Sequence, residues 1–147
     1  MILNVSYNNI NRINLPNMYF FEKFIKYIIN YNNFYILNIK IVSKSNIKKL
    51  NNIFNKKNKP TNSLTFLKNI NIKNNSINVG DIALCKSLIE KESKKYNINL
   101  YFHWSHILVH SCLHLLGFTH KNYDDTIFME NKEIEILKKF NIPNPHI

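Results

Sequence analysis

The residues of this chain best suited to chemistry are three histidines in its last third: His110, His114 and His120. On a helix, residues four apart lie one turn above each other, so His110 and His114 share a face. Gly117 is one of only two glycines in the chain. It can end that helix in a left-handed conformation and turn the chain so that His120 approaches the same face. Three converging imidazoles suit a tetrahedral zinc ion whose fourth position is left to water, which is the arrangement of a catalytic site.

The surroundings of these histidines favour a buried helix. Residues 104–116 carry no charged side chain and are mostly apolar, and a helix that is apolar on all sides is normally buried. A buried imidazole needs a partner, because an unpaired buried polar group costs about 1–3 kcal/mol. His103 and His106 extend the same stripe. The glycine turn explains His120 but neither of these two, so we expect His106 to support the site or pack beside it.

Ser111 bears on the type of reaction. Zinc proteases with a His-Glu-x-x-His helix carry a glutamate base directly after the first histidine. Ser111 occupies that position here, and serine has no basicity to offer. A hydrolytic metal in a basic protein points instead to cleavage of a phosphodiester in nucleic acid.

The elements that must position these histidines are predicted in the order strand, helix, strand, helix, two strands, then helices. Strands are predicted at residues 2–7, 34–42, 61–70 and 77–84. Helices are predicted after Pro16, over 47–54 and 87–96, through the histidine segment, and from Asp124 to Phe140. The asparagine run at 30–33 is predicted to end the first helix, a polar loop to occupy 55–59, and a turn to occupy 74–76. This order predicts an α+β fold in one domain, residues 1–147: a small mixed sheet of about four strands packed with helices, with the metal site on a central buried helix.

Composition favours a polyanionic partner. The formal net charge is +11 and the sequence pI is about 9.7, which is typical of proteins that bind RNA or DNA. Part of that charge is open to another interpretation, since an AT-rich genome enriches Asn, Ile and Lys, and Arg12 is the only arginine. Cys85 and Cys112 form no recognisable metal or disulfide pattern. No signal peptide or apolar stretch of membrane-spanning length is visible, so we expect no membrane partner and a cytoplasmic location.

Several segments of the chain resemble one known family. The histidine stretch keeps His110, Leu113, His114, Leu115, Gly117 and His120 of a His-Gly-x-Leu-His-Leu-x-Gly-Tyr-Asp-His signature. Further matches are Leu50-Asn51, Lys59-Pro60-Thr61-Asn62, Leu64, Phe66, Gly80-Asp81-Ile82 and His103-Trp104. Together these segments are similar to the YbeY family, bacterial endoribonucleases that act in ribosomal RNA maturation.

The resemblance implies an α+β fold and a single-strand-specific, metal-dependent endoribonuclease. Its implied substrate is single-stranded rRNA, notably the 3′ end of small-subunit rRNA, its implied partner is the small ribosomal subunit, and no DNA substrate is expected. It implies that His110, His114 and His120 bind one Zn²⁺ and act through the metal-bound water, although three imidazoles also suit nickel or copper.

Two departures from the family bear on activity. Asn55 stands where the family carries an arginine thought to contact the scissile phosphate, and asparagine brings no charge to a transition state. Lys56 or Lys57 is the nearest replacement as a point charge. Thr119 replaces an aspartate of the signature. The alternative function is therefore a metal-stabilised ribosome assembly factor with weak or no nuclease activity.

Overall fold

The computed structural model describes residues 1–29 and 36–147. Its elements are β1 (Ile2–Tyr7), α1 (Met18–Ile28), β2 (Ile36–Val42), α2 (Lys44–Asn55), β3 (Ser63–Ile72), β4 (Asn75–Cys85), α3 (Lys86–Lys95), α4 (Leu100–Leu115) and α5 (Tyr123–Lys139). The predicted α+β class with a four-stranded mixed sheet is confirmed. The asparagine run predicted to end α1, and the first two residues of the predicted second strand, lie outside the described residues.

The sheet contains both parallel and antiparallel strand pairs, because some strands are joined by crossovers and others by a hairpin turn. The strand order is β1-β2-β4-β3, with β1, β2 and β4 parallel and β3 antiparallel to β4. One row of paired residues crosses the whole sheet: Val5, Ile39, Ile82 and Thr65. Parallel neighbours need a crossover connection, which α1 provides between β1 and β2. Strands β3 and β4 are joined directly as a hairpin.

The hairpin turn differs from the prediction. The turn consists of Lys73 and Asn74, both with positive φ (47° and 67°). Positive φ at both residues is required in a two-residue turn whose twist matches that of the flanking strands. The prediction of a turn at 74–76 was wrong, because Asn75 and Ser76 already pair with β3. Both lie at the exposed end of the hairpin, where polar side chains remain hydrated while the backbone hydrogen bonds continue the ladder.

Side chains of alternate residues cover both faces of the sheet. In β4, Ile82 and Leu84 join a large apolar cluster shared with α1, α3, α4 and α5. Ala83 and Cys85 point the other way, into a smaller cluster with Ile47 of α2. Successive strand residues face opposite sides, so helices pack on both faces at the centre of the sheet, whereas the outer half of the β3–β4 hairpin is exposed.

Helix α4 lies mostly within the large cluster. Ten of its sixteen residues are buried. Asn99 caps its amino terminus by accepting a hydrogen bond from the Phe102 N–H at 3.1 Å. The helix packs against α1, α3 and α5 as well as the sheet. These contacts fix the position of the backbone that carries the histidines. In the described ranges, none of the helices has the length and apolar character that a membrane crossing requires.

Candidate metal centre and its cleft

Helix α4 stacks its histidines on one face, as the four-residue spacing requires. The ring centroids of His110 and His114 are 4.4 Å apart, and those of His106 and His110 are 6.3 Å apart. The His110 and His114 rings are half-buried rather than enclosed. The stripe therefore reaches solvent at its carboxyl-terminal end, where α4 stops at Leu115.

A glycine turn brings the third imidazole to this end. Gly117 has φ +97°, and its N–H donates to the His114 carbonyl at 3.0 Å. The Phe118 N–H donates to the Leu113 carbonyl, also at 3.0 Å. These two bonds make the helix-ending motif in which a left-handed residue reverses the chain. The chain then returns past the helix end, and His120 lies over the same face.

The structure brings all three predicted histidines together. One ring nitrogen from each of His110, His114 and His120 lies within 4.8 Å of the other two. The His120 ring is 4.9 Å from that of His114 and 5.7 Å from that of His110, measured between centroids. Their role as metal ligands is a proposal, but the distances between them are short enough for one ion to contact all three.

Hydrogen bonds on the far side of two rings fix which nitrogen is free. His114 Nδ1 lies 3.0 Å from the Phe118 carbonyl oxygen, and His110 Nδ1 lies 3.1 Å from a Glu133 carboxylate oxygen. Because both oxygens accept, both Nδ1 atoms carry the proton and donate. In neutral rings both Nε2 atoms then carry lone pairs, and these two atoms face each other at 2.9 Å. Two lone pairs at that distance repel unless a proton or a metal ion lies between them.

The surroundings also disfavour a proton on His114. Burial, and then the charge of His110, lower the pKa of His114 below its usual value of 6.5, although the Phe118 carbonyl acts in the opposite direction. A neutral imidazole is the form that binds metal ions. The site thus holds this residue in its ligating form at neutral pH.

Glu133 is the residue of the site that sequence reasoning missed. Burial raises the pKa of its carboxyl, but hydrogen bonds from His106 and His110 and the charges of these rings outweigh burial and lower it to about 2. A signal was present in the sequence. Glu133 lies four residues after Met129 and three before Ile136, both buried, and so falls on the inner face of α5.

The three histidines line a cleft of about 520 Å³ together with polar residues from α2, β3 and the loop between them. This lining includes Asn51, Asn55, Lys57, Lys59, Thr61 and Asn62. Two lysines therefore line the cleft together with the three histidines. Polar donors with positive charge suit an anionic ligand such as a phosphodiester.

Asn55 lies in the cleft wall, but its side-chain amide is hydrogen-bonded within the protein. It is the last residue of α2 rather than the first of the loop, because Lys56 takes the left-handed conformation that ends the helix (φ 56°). Asn55 Nδ2 donates to Asn51 Oδ1 at 3.0 Å, and Asn51 Nδ2 donates to the Lys59 carbonyl at 2.9 Å. Of the two replacements proposed from sequence, Lys57 lines the cleft and Lys56 does not.

Ser111, Cys112 and Thr119 have structural contacts that explain their presence. Ser111 is fully buried and donates to the Ile107 carbonyl at 2.8 Å, so it is not directed toward the cleft as a base. Cys112 and Cys85 are free and buried, and burial raises the pKa of the Cys112 thiol above its usual range. Thr119 donates to a carboxylate oxygen of Asp125 at 3.1 Å, which ties the returning chain to the start of α5.

Comparison with known proteins identifies relatives along almost the whole chain. A family model described as Endoribonuclease YbeY matches residues 6–141. A relative named Endoribonuclease YbeY, from Buchnera aphidicola subsp. Acyrthosiphon pisum, is 45% identical over 148 aligned positions that cover 100% of this chain and 96% of the relative. One of the same name from Wigglesworthia glossinidia brevipalpis is 43% identical over 112 positions, 75% of this chain and 73% of its own. A solution structure from Thermotoga maritima has the same fold, with a TM-score of 0.55 at 21% identity over 95% of this chain and 92% of that one.

Proposed function

This chain belongs to the YbeY family of endoribonucleases, and on that premise we propose that it is a metal-dependent endoribonuclease specific for single-stranded RNA. Its place is in ribosomal RNA processing and ribosome biogenesis, at the 3′ end of small-subunit rRNA. Family membership supports the RNA-cleaving role in rRNA processing. The metal dependence and the cleavage position are the finer parts of the proposal.

One observation carries the metal dependence: the facing Nε2 atoms of His110 and His114, 2.9 Å apart. Their Nδ1 protons are committed to Phe118 and Glu133, so a proton or a metal ion must lie between the two Nε2 atoms, and the lowered pKa of His114 favours the metal ion. His120 supplies a third nitrogen from the other side of the glycine turn. Three imidazoles with a position left for solvent or substrate are the ligand set of catalytic zinc.

We therefore propose His110, His114 and His120 as the ligands of one Zn²⁺ per chain. When bound, zinc supplies Lewis-acid chemistry, stabilising the negative charge that develops on a phosphoryl oxygen. The protein's own groups hold the substrate. The ammonium groups of Lys57 and Lys59, which line the cleft, attract the phosphates of the bound strand, and Asn55 offers an uncharged contact where the family has arginine.

The test combines metal content with RNA cleavage. Purified protein is analysed for bound metal and incubated with single-stranded RNA, the same RNA in a duplex, and DNA of the same sequence. We expect one zinc equivalent and cleavage of the single-stranded RNA alone. His114→Ala removes one ligand, so metal and cleavage should both be lost, and cells relying on this variant should accumulate unprocessed small-subunit rRNA.

A histidine change outside the cleft provides the control. His103 lies on the same helix but pairs with Glu92 at 3.0 Å, and it does not line the cleft. His103→Gln should therefore retain metal and cleavage. Normal 3′ ends in cells relying on His114→Ala would contradict the proposed function.

The remaining parts of the proposal concern the molecule in the cell. We propose that residues 1–147 act as a single domain, in the cytoplasm, on RNA of the small ribosomal subunit and without a DNA substrate. The net charge of +11 supports binding to a polyanion of this kind. The scarcity of arginine agrees with contacts to phosphates rather than bidentate contacts to bases.

Asn55 favours a second candidate function, a metal-stabilised assembly factor that binds the ribosome without cutting RNA. Its amide donates to Asn51, and it brings no charge to a developing phosphorane. On this alternative, Asn55→Arg should create nuclease activity that the natural protein lacks. A natural protein that already cleaves at the rate of the Asn55→Arg variant excludes the alternative.

A further inference from the structure

Glu133 is the centre of a group of four side chains, here called the carboxylate hub: Glu133 with His106, His110 and His146. One carboxylate oxygen, Oε2, accepts from His106 Nε2 at 2.9 Å and from His110 Nδ1 at 3.1 Å. The other, Oε1, accepts from His146 Nε2 at 3.0 Å. The Glu133 side chain is 2% exposed. Among the described residues, this buried carboxylate forms ion pairs only with histidines, and one of them, His110, belongs to the candidate metal centre.

His146 reaches the hub because the chain folds back after α5. Asn141 takes a left-handed conformation (φ 59°), and the Ile142 N–H donates to the Leu137 carbonyl at 3.0 Å. Ile142 is buried, which anchors the end of the chain to the core. The His146 N–H then donates to Asn144 Oδ1 at 2.8 Å, a local turn that directs the imidazole back toward α5.

Holding both carboxylate oxygens has a consequence for His110. A carboxylate bonded at one oxygen only can rotate, whereas contacts at both Oε1 and Oε2 fix its plane. A fixed Oε2 keeps the proton of His110 on Nδ1 and keeps Nε2 bare and directed at His114. Carboxylates that accept from the second nitrogen of a metal-bound histidine orient the ring and raise its basicity.

We infer that Glu133, held in place by His106 and His146, is a positioning residue for His110. A residue next to the end of the chain thereby supports the metal centre without touching it. This inference rests on the proposed function, since it requires His110 to be a metal ligand. It assigns Glu133 and His146 a role that neither the resemblance to the family nor the spacing of the histidines indicates.

A second cation site is the competing explanation of the hub. Ligand atoms of His106, Glu133 and His146 lie within 4.8 Å of one another, and two histidines with one carboxylate can bind a metal. The positioning role is favoured because both carboxylate oxygens already accept protons, Oε2 from His106 and His110 and Oε1 from His146. The three nitrogen-to-oxygen distances, 2.9–3.1 Å, are those of direct hydrogen bonds.

The test uses Co²⁺ as a coloured probe in the full chain. Stoichiometry, affinity and the visible absorption of bound Co²⁺ are measured for the wild type and for Glu133→Gln, His146→Ala and His146→Gln. Glu133→Gln should bind one ion about 10–100-fold more weakly and with a changed absorption band, because an amide cannot accept at both positions. Glu135→Gln is the matched control. It removes the same charge from an exposed position of α5 that pairs with Lys132.

The two His146 variants separate positioning from folding. His146→Ala should weaken Co²⁺ binding about tenfold, with one ion still bound. His146→Gln should restore the affinity, because the glutamine Nε2 can donate to the same oxygen. This pair decides the matter even if Glu133→Gln fails to fold, since His146 lies on the exposed end of the chain.

Three results would overturn the inference. Wild-type affinity and absorption in a folded Glu133→Gln protein would show that Glu133 does not act on His110. Two Co²⁺ ions in the wild type, one of them lost in His146→Ala, would show that the hub is itself a metal site. A wild type that binds no Co²⁺ and no Zn²⁺ would refute the proposed function, and the positioning role with it.

Discussion

Lys57 is one of the two lysines that give the cleft its positive charge. Asn55 contributes polarity but no charge, and its amide is bonded to Asn51. Lys57 lies two residues further along, is exposed and lines the same cleft. A lysine ammonium attracts phosphate as a point charge, without the paired geometry of an arginine. We therefore expect Lys57 to contribute affinity for any single strand rather than preference for a sequence.

Lys57→Ala should weaken binding of single-stranded RNA by a similar factor for every sequence. One phosphate contact would be lost, so the slope of log affinity against log salt should become shallower by about 0.7. Fluorescence titrations of metal-free protein with labelled RNA at several salt concentrations measure both quantities. The absence of metal keeps the RNA intact.

Lys132→Ala is the control for this prediction. It removes the same charge from α5, outside the cleft, where Lys132 is partly exposed and pairs with Glu135. The salt slope of this variant should match the wild type. Equal slopes in all three proteins would mean that RNA does not contact Lys57.

At the scale of an element, the end of α4 decides whether the third imidazole reaches the other two. Gly117 has φ +97°, a backbone conformation that residues with a Cβ atom rarely adopt. A Cβ built at this position meets no atom within 4 Å. The demand for glycine is therefore conformational and does not come from crowding.

Gly117→Ala should lower the free energy of unfolding by about 1–2 kcal/mol, the cost of a left-handed backbone for a residue with a Cβ. Relief of that strain would reopen the turn and move His120 away, so Zn²⁺ affinity should fall as well. Urea denaturation of metal-free protein measures the first effect, and competition with a chelator the second.

Gly117→Asn provides the comparison, since asparagine tolerates positive φ better than alanine. It should lose less stability and less metal affinity than Gly117→Ala. Alanine and asparagine variants with unchanged stability and affinity would contradict the role given to the turn.

At the scale of the whole molecule, protonation is linked to folding through groups from α4 and α5. Burial and the charge of His110 lower the pKa of His114 below 6.5. Burial raises the pKa of Glu133, but its histidine contacts outweigh that and lower it from 4.5 to about 2. In both cases the unfolded chain binds a proton more readily than the folded protein does, so acid favours unfolding.

Metal-free protein should therefore lose stability as the pH falls below 6.5, because unfolded His114 takes up a proton before folded His114 does. A second loss should follow as the pH falls from 4.5 toward about 2, when Glu133 protonates in the unfolded chain first. Urea midpoints at constant ionic strength, from pH 8 to the acid limit of the folded state, measure both.

His114→Gln isolates the first loss, since this variant lacks the titrating imidazole. Subtracting its pH profile from that of the wild type leaves the contribution of His114 alone. A difference that stays constant between pH 7 and pH 5 would contradict the prediction.

Local rules in the sequence determined a large part of this protein. The four-residue spacing of His110 and His114 specified a shared helix face, and Gly117 specified the turn that returns His120. These relations hold within a few residues, where backbone geometry alone decides direction. The order of the predicted strands and helices likewise predicted a four-stranded mixed sheet. The hairpin turn was predicted at 74–76 but consists of Lys73 and Asn74. Polar residues at an exposed hairpin end fit a strand as well as a turn, so the sequence could not place it.

Only the tertiary structure decided what surrounds the three imidazoles. Glu133 reaches His110 from α5, 23 residues further along the chain, and His146 reaches Glu133 from the end of the chain. Lys57 enters the cleft from the loop after α2. Such contacts depend on how helices pack across the core, and packing is fixed by the combined shape of many side chains rather than by any local pattern. The sequence therefore indicates which histidines can lie close together, while the fold determines which charged residues contact and orient them.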